Sequence, residues 1–168
     1  TTKWHDNVNE IFLKASDMNG DGMTDIVYRE SYIGYKVMLS NGVDGLNNPI
    51  LWHDDIPARI CDVSDFNGDG KNDVLLMSSY HDIYGTYTWI FKTMYNQGSS
   101  FSDPIDIGYY YYEFSVFRIG DFNGDGKTDF LIQEGDDDPY EVLISIGNGY
   151  HHESWHDAVD INSKAQFW

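Results

Sequence analysis

Apolar residues along this chain fall in short runs, and the runs come in repeating groups. The first run of each group is "IFLKAS" (11–16), "ARICDVS" (58–64) or "SVFRIG" (115–120). The second is "DIVYRE", "DVLLMS" or "DFLIQE", and the third, "YKVMLSNG", "YTWIFKTMYNQG" or "YEVLISIGNG", ends in glycine. A fourth, "NNPILWHDDI" or "SDPIDIGYYY", leads into the next group. β-Branched and aromatic residues dominate these runs, while Asn-Gly, Asn-Pro and Asp-Pro punctuate them as turns. No segment keeps a helical period. The pattern predicts an all-β protein.

Between the first and second run of every group lies one nonapeptide: "DMNGDGMTD" at 17–25, "DFNGDGKND" at 65–73 and "DFNGDGKTD" at 121–129. Successive copies start 48 and 56 residues apart. Four short strands in a tandem unit of about fifty residues is the period of a β-propeller blade. The chain therefore reads as three four-stranded antiparallel blades, over residues 7–57, 58–112 and 113–157, with partial strands at 1–6 and 158–168. Trp4-His5-Asp6 precedes Asp17 by the same thirteen residues that separate Trp52-His53-Asp54 from Asp65. A third Trp-His-Asp, at 155–157, places the next loop at Trp168, where the sequence stops. The expectation is a section of a larger propeller, completed by further blades of the same polypeptide or by other copies.

Charge sharpens the picture. The formal net charge is −18, which argues against nucleic acid or an anionic membrane surface as partner. Nine of the acidic residues are aspartates inside the three nonapeptides, and one divalent cation per copy would bring −18 to about −12. No apolar stretch has the length of a membrane span, and residues 1–10 do not read as a signal peptide. Cys61 is the single cysteine, so there is no intrachain disulfide or thiolate cluster, and in "ARICDV" it reads as a small buried hydrophobe.

Oxygen donors at positions 1, 3, 5, 7 (a backbone carbonyl) and 9 are the ligand set of a calcium loop. They are Asp17, Asn19, Asp21, the Met23 carbonyl and Asp25 in the first copy. The second supplies Asp65, Asn67, Asp69, the Lys71 carbonyl and Asp73; the third supplies Asp121, Asn123, Asp125, the Lys127 carbonyl and Asp129. Glycine at position 6 (Gly22, Gly70, Gly126) permits the sharp turn. Hard oxygen donors without His or Cys favour Ca²⁺ over zinc or copper, and a cage so rich in protein ligands suits Mg²⁺ poorly. A helix–loop–helix site needs a bidentate Glu at position 12, where this chain has Tyr28, Leu76 and Ile132 between strands, so that reading and the related dockerin reading fail. One such nonapeptide alone would equally be a metal-free Asx turn. Three matched copies point to three Ca²⁺ ions.

"DFNGDGKTDFLI", preceded by "FSVFRIG", resembles the FG-GAP/VCBS repeats of integrin-α-type β-propellers. The resemblance implies a calcium loop between the first two strands of each blade, a secreted or cell-surface setting, and about seven blades in a complete ring. It does not select a ligand. The same repeats occur in lectins, in shells of large bacterial toxins and in secreted enzymes, so binding, adhesion and scaffold roles stay open beside a lectin-like one.

Outside the loops, Trp4, Trp52 and Trp155 recur at one blade position; sugar stacking is one reading, and packing between blades is favoured. Ile107 stands where the second unit would have its Trp. In "YYYYEF" (109–114), strand alternation sends Tyr109 and Tyr111 to one face and Tyr110 and Tyr112 to the other, so some reach the surface as candidate contacts for a glycan or protein. "EGDDDPYE" (134–141) reads as a solvated acidic turn in preference to a fourth cation site, and the six histidines show no ligand spacing beyond the adjacent His151 and His152, with surface or packing roles favoured over zinc. With no nucleophile elbow, phosphate loop or metalloprotease pattern, the chain is not read as an enzyme.

Overall fold

A computed structural model of the chain describes residues 13–43, 45–81, 83, 87–110, 116–133 and 140–154. Among them there is no helix; they form twelve strands in three four-stranded antiparallel sheets. The first sheet holds β1 (Leu13–Ser16), β2 (Asp25–Glu30), β3 (Gly34–Met38) and β4 (Ile50–Asp54). The second holds β5 (Arg59–Ser64), β6 (Asp73–His81), β7 (Tyr87–Met94) and β8 (Ile105–Tyr110). The third holds β9 (Val116–Gly120), β10 (Asp129–Gln133), β11 (Glu141–Ser145) and β12 (Tyr150–Ser154). Each sheet is an up-and-down meander in chain order, the form of a propeller blade. Trp4, Trp155, Trp168, Tyr111, Tyr112 and residues 134–139 lie outside the described residues.

The hydrophobic core sits between the sheets. Alternation along β6 divides the middle blade: Val74 and Leu76 enter a cluster with Val27, Tyr35, Val37 and Trp52 of the first blade. Leu75 and Met77, on the opposite face, join Phe130, Ile132 and Leu143 of the third. The five residues opening β6 are all buried, as expected of a strand covered on both faces.

The recurring Trp position is a packing device. Register between β3 and β4 shifts at Tyr35/Lys36, leaving Trp52 as the extra residue of β4 between Leu51 and His53. The same shift between β7 and β8, at Phe91/Lys92, leaves Ile107 as the extra residue between Asp106 and Gly108. A bulge re-aims one side chain. Here it sends Trp52 into the first interblade cluster, edge-on to Phe101 at 5.1 Å, and Ile107 into the second. At position 52 the scaffold reading therefore holds. Cys61 departs slightly from expectation: it is half-buried against the second cluster, at a register shift of its own between Ile60 and Asp62. Tyr109 and Tyr110 end β8 opposite Ile90 and Trp89.

Candidate metal centres

All three acidic nonapeptides occupy the same place, the turn joining the first two strands of a blade. Their backbones are alike because the same short side chains tie them. The position-1 carboxylate receives its shortest amide hydrogen bonds from positions 4 and 6: Asp17 accepts from Gly20 and Gly22, both at 2.7 Å. Asp65 does the same with Gly68 (2.7 Å) and Gly70 (2.8 Å), and Asp121 with Gly124 (2.7 Å) and Gly126 (2.9 Å). Wrapping the chain so closely requires left-handed backbone at positions 4 and 6, where φ lies between +80° and +85° in every copy. Glycine alone adopts this without strain. At position 3 the amide oxygens of Asn19, Asn67 and Asn123 accept from the N–H two residues on, and at position 5 the carboxylates of Asp21, Asp69 and Asp125 do likewise.

Position 9 behaves differently. Asp25, Asp73 and Asp129 are fully buried. One oxygen of each accepts the N–H of the position-2 residue (Met18, Phe66 or Phe122), and the other accepts the N–H of a residue just after or at the end of the third strand: Ser40, Asn96 or Ser145. The carboxylate thus staples the loop to the next hairpin. Burial pushes Asp73 up to about 7 against the opposing pull of the Asn96 and Phe66 amides, with Asp69 and Asp65 adding repulsion. At the exposed end of the loop the balance reverses. The Gly22 amide, with those of Gly20, Asn19 and Asp21, holds Asp17 below the usual carboxylate range. Asp125 is held down by the Lys127 ammonium and amide; burial works against Asp69, but Lys71 keeps it low as well.

Among the described residues, no three carboxylate, His or Cys groups converge as a ready-made metal shell. The carboxylates are turned to the N–H groups of their own loops. Each oxygen that accepts one N–H keeps a second lone pair, so the loops remain an all-oxygen donor set, which fits a hard cation and excludes a thiolate or imidazole site.

The loops also bind one another, a feature the sequence does not announce. Asn72, at position 8 of the second loop, donates to the Asp17 carbonyl at 2.9 Å. Asn96 donates to the carbonyls of Met18 (2.8 Å) and Asn72 (3.0 Å). One blade on, the Thr128 N–H reaches the Asp65 carbonyl at 2.9 Å, and the Ser145 hydroxyl donates to the Phe66 carbonyl. Ser64 and Thr128 join their hydroxyls at 2.7 Å. The positional signal was present, since Ser40, Asn96 and Ser145 hold equivalent places, but the residue type varies.

Three open, meandering four-stranded sheets, each carrying one acidic Asx-rich loop between its first two strands, define a β-propeller-blade protein. Residues 65–132 match the family model described as an FG-GAP-like repeat. The match includes the second and third loops; the first repeats their sequence and hydrogen bonding outside it. No curated protein and no solved structure matches the chain.

Proposed function

We propose that this chain is a calcium-stabilised section of an extracellular β-propeller that serves as a binding, adhesion or scaffold module, with one Ca²⁺ at each of its three loops. The observation that carries the reading is the threefold repetition of one loop architecture at one place in the blade, with oxygen donors at positions 1, 3, 5 and 9 in all three copies. Calcium would supply positive charge where three carboxylates crowd together. The chain's own residues do the rest: glycines at positions 4 and 6 shape the loop, and Asp25, Asp73 and Asp129 anchor it to the blade. Burial of Trp52 removes that position from any glycan-stacking surface, so a ligand would engage the blades elsewhere.

Extracellular calcium modules commonly bind with Kd of about 10⁻⁴–10⁻³ M. At ten times Kd each site stabilises the fold by about 1.4 kcal/mol. Three sites then raise Tm by roughly 10 °C for a chain of this size. Thermal melting in millimolar calcium and again in excess chelator tests this. An unchanged Tm would remove the calcium role.

A further inference from the structure

The three loops differ in one respect that bears on how they would fill. In the second and third, the position-7 side chain is a lysine whose ammonium lies on the position-5 carboxylate: Lys71 Nζ to Asp69 Oδ2 and Lys127 Nζ to Asp125 Oδ2, each at 2.9 Å. In the first, position 7 is Met23, whose sulfur lies against Gly42, and among the described residues the second oxygen of Asp21 takes only the neutral Asn19 amide, at 2.9 Å. Each loop carries three aspartates, so the formal charge is −3 in the first and −2 in the others.

The two lysines are not equally held. Lys71 stays within its own loop with its side chain 43% exposed, whereas that of Lys127 is 25% exposed. The stem of Lys127 crosses to the neighbouring loop, its Cγ 2.9 Å from where a Cβ on Gly68 would stand. Moving Lys127 off Asp125 therefore disturbs two loops, and moving Lys71 only one.

We propose that position 7 sets the calcium affinity of each loop, so that the ions fill in the order 17–25, then 65–73, then 121–129. Met23, Lys71 and Lys127 are the determining residues. This rests on the calcium reading above. The same residue presents a backbone carbonyl to the ion and, when it is lysine, a resident cation that competes for a ligand oxygen. Calcium affinity of such loops follows the charge of the ligand set. A unit charge about 5 Å from a divalent ion in water changes affinity by roughly tenfold.

The test is a calcium titration of the 168-residue chain followed by amide NMR, in which Gly22, Gly70 and Gly126 report the loops separately. Gly22 is expected to saturate first and Gly126 last. Lys71→Met should tighten the second loop about tenfold and leave the third unchanged, and Met23→Lys should weaken the first by about as much. Lys71 is exposed and Met23 half-buried, and circular dichroism of the chelated proteins checks that both variants keep the fold. If the three glycines titrate together, or both variants stay within twofold of the parent, the ordering is wrong while the calcium sites stand. If no glycine signal moves in millimolar calcium, the sites themselves are wrong and the ordering falls with them.

Discussion

Asp73 combines two properties that oppose each other: complete burial, and a carboxylate both of whose oxygens accept backbone amides. Replacing it with alanine leaves the Phe66 and Asn96 N–H groups unpaired in the interior, at about 1–3 kcal/mol each. Asp69 lies at the exposed end of the same loop, so Asp69→Ala should cost little in chelator and distinctly more in calcium. Asp62, in a surface pairing with Lys14 at 3.7 Å, is the control and should cost under about 1 kcal/mol in either condition. Gly70→Val meets open space but must adopt φ +84°, so backbone strain alone should destabilise it by at least about 1–2 kcal/mol. Urea denaturation with and without calcium ranks the four. Equal losses for Asp73→Ala and Asp62→Ala would refute the staple. A second residue-scale effect concerns Tyr35, whose buried hydroxyl donates to the Ala58 carbonyl at 2.6 Å. Burial raises its pKa far above the usual tyrosine value, with the nearby Arg29 only partly offsetting this. A raised folded-state pKa contributes stability that is complete below the unfolded-chain value of about 10 and is lost as pH rises beyond it. Alkaline unfolding should therefore begin above about pH 10, later in Tyr35→Phe after allowance for that variant's lower starting stability. If the parent-minus-variant absorbance at 295 nm shows Tyr35 ionising near pH 10 in a still folded protein, the burial argument fails.

At the scale of elements, each blade is tied to its predecessor by polar side chains that leave its loop or its third strand. Asn96 is the densest of these ties, since its backbone serves Asp73 while its amide serves Met18 and Asn72. Asn96→Ala should cost about 2 kcal/mol or more, because two buried or half-buried carbonyls lose their donor. The double variant with Asn72→Ala should be non-additive, as the two share one network. A loss no larger than that of the exposed Ser99→Ala would show that the ladder carries no weight. The strands and acidic loops could be read from the sequence because they rest on local signals: β-branched runs, turn dipeptides and a nine-residue motif with fixed glycines. The recurring Trp position was legible as packing for a related reason, and Ile107 in place of Trp52 keeps an apolar residue at the same bulge. The ladder was not legible. Its partners lie 78 and 79 residues apart for Asn96–Met18 and Ser145–Phe66, and its members alternate between Ser and Asn. Any polar residue short enough to reach a carbonyl satisfies the position, so the sequence leaves no fixed letter to find.

For the whole molecule, the ladder has a direction, and direction implies a next member. The second and third blades each donate backwards from position 8 and from the third-strand end to the position-1 and position-2 carbonyls of the blade before. Thr24 and Ser40 hold the donor places in the first blade; Asp121 and Phe122 hold the acceptor places in the third. The two ends are complementary, so the third blade suits a further blade of the same polypeptide or, in the 168-residue chain alone, the first blade of another copy, the head-to-tail geometry that closes rings. Propellers close with about four to eight blades, so two copies of three would suffice. The first blade also leaves Leu13, Ile50 and Leu51 between 45% and 48% exposed. Opposing association is the net charge of −18, which three bound calcium ions would reduce to about −12. Calcium should therefore promote assembly as well as stability. Light scattering in millimolar calcium should give a molar mass at least twice the 19.3 kDa of one chain, falling towards one chain in chelator at low salt. Ser40→Asp, which puts a carboxylate where a donor belongs, should hold the protein at one chain while leaving its own blade folded. A parent protein that remains monomeric in calcium at tens of micromolar would overturn the assembly and leave the blades and their loops as they stand.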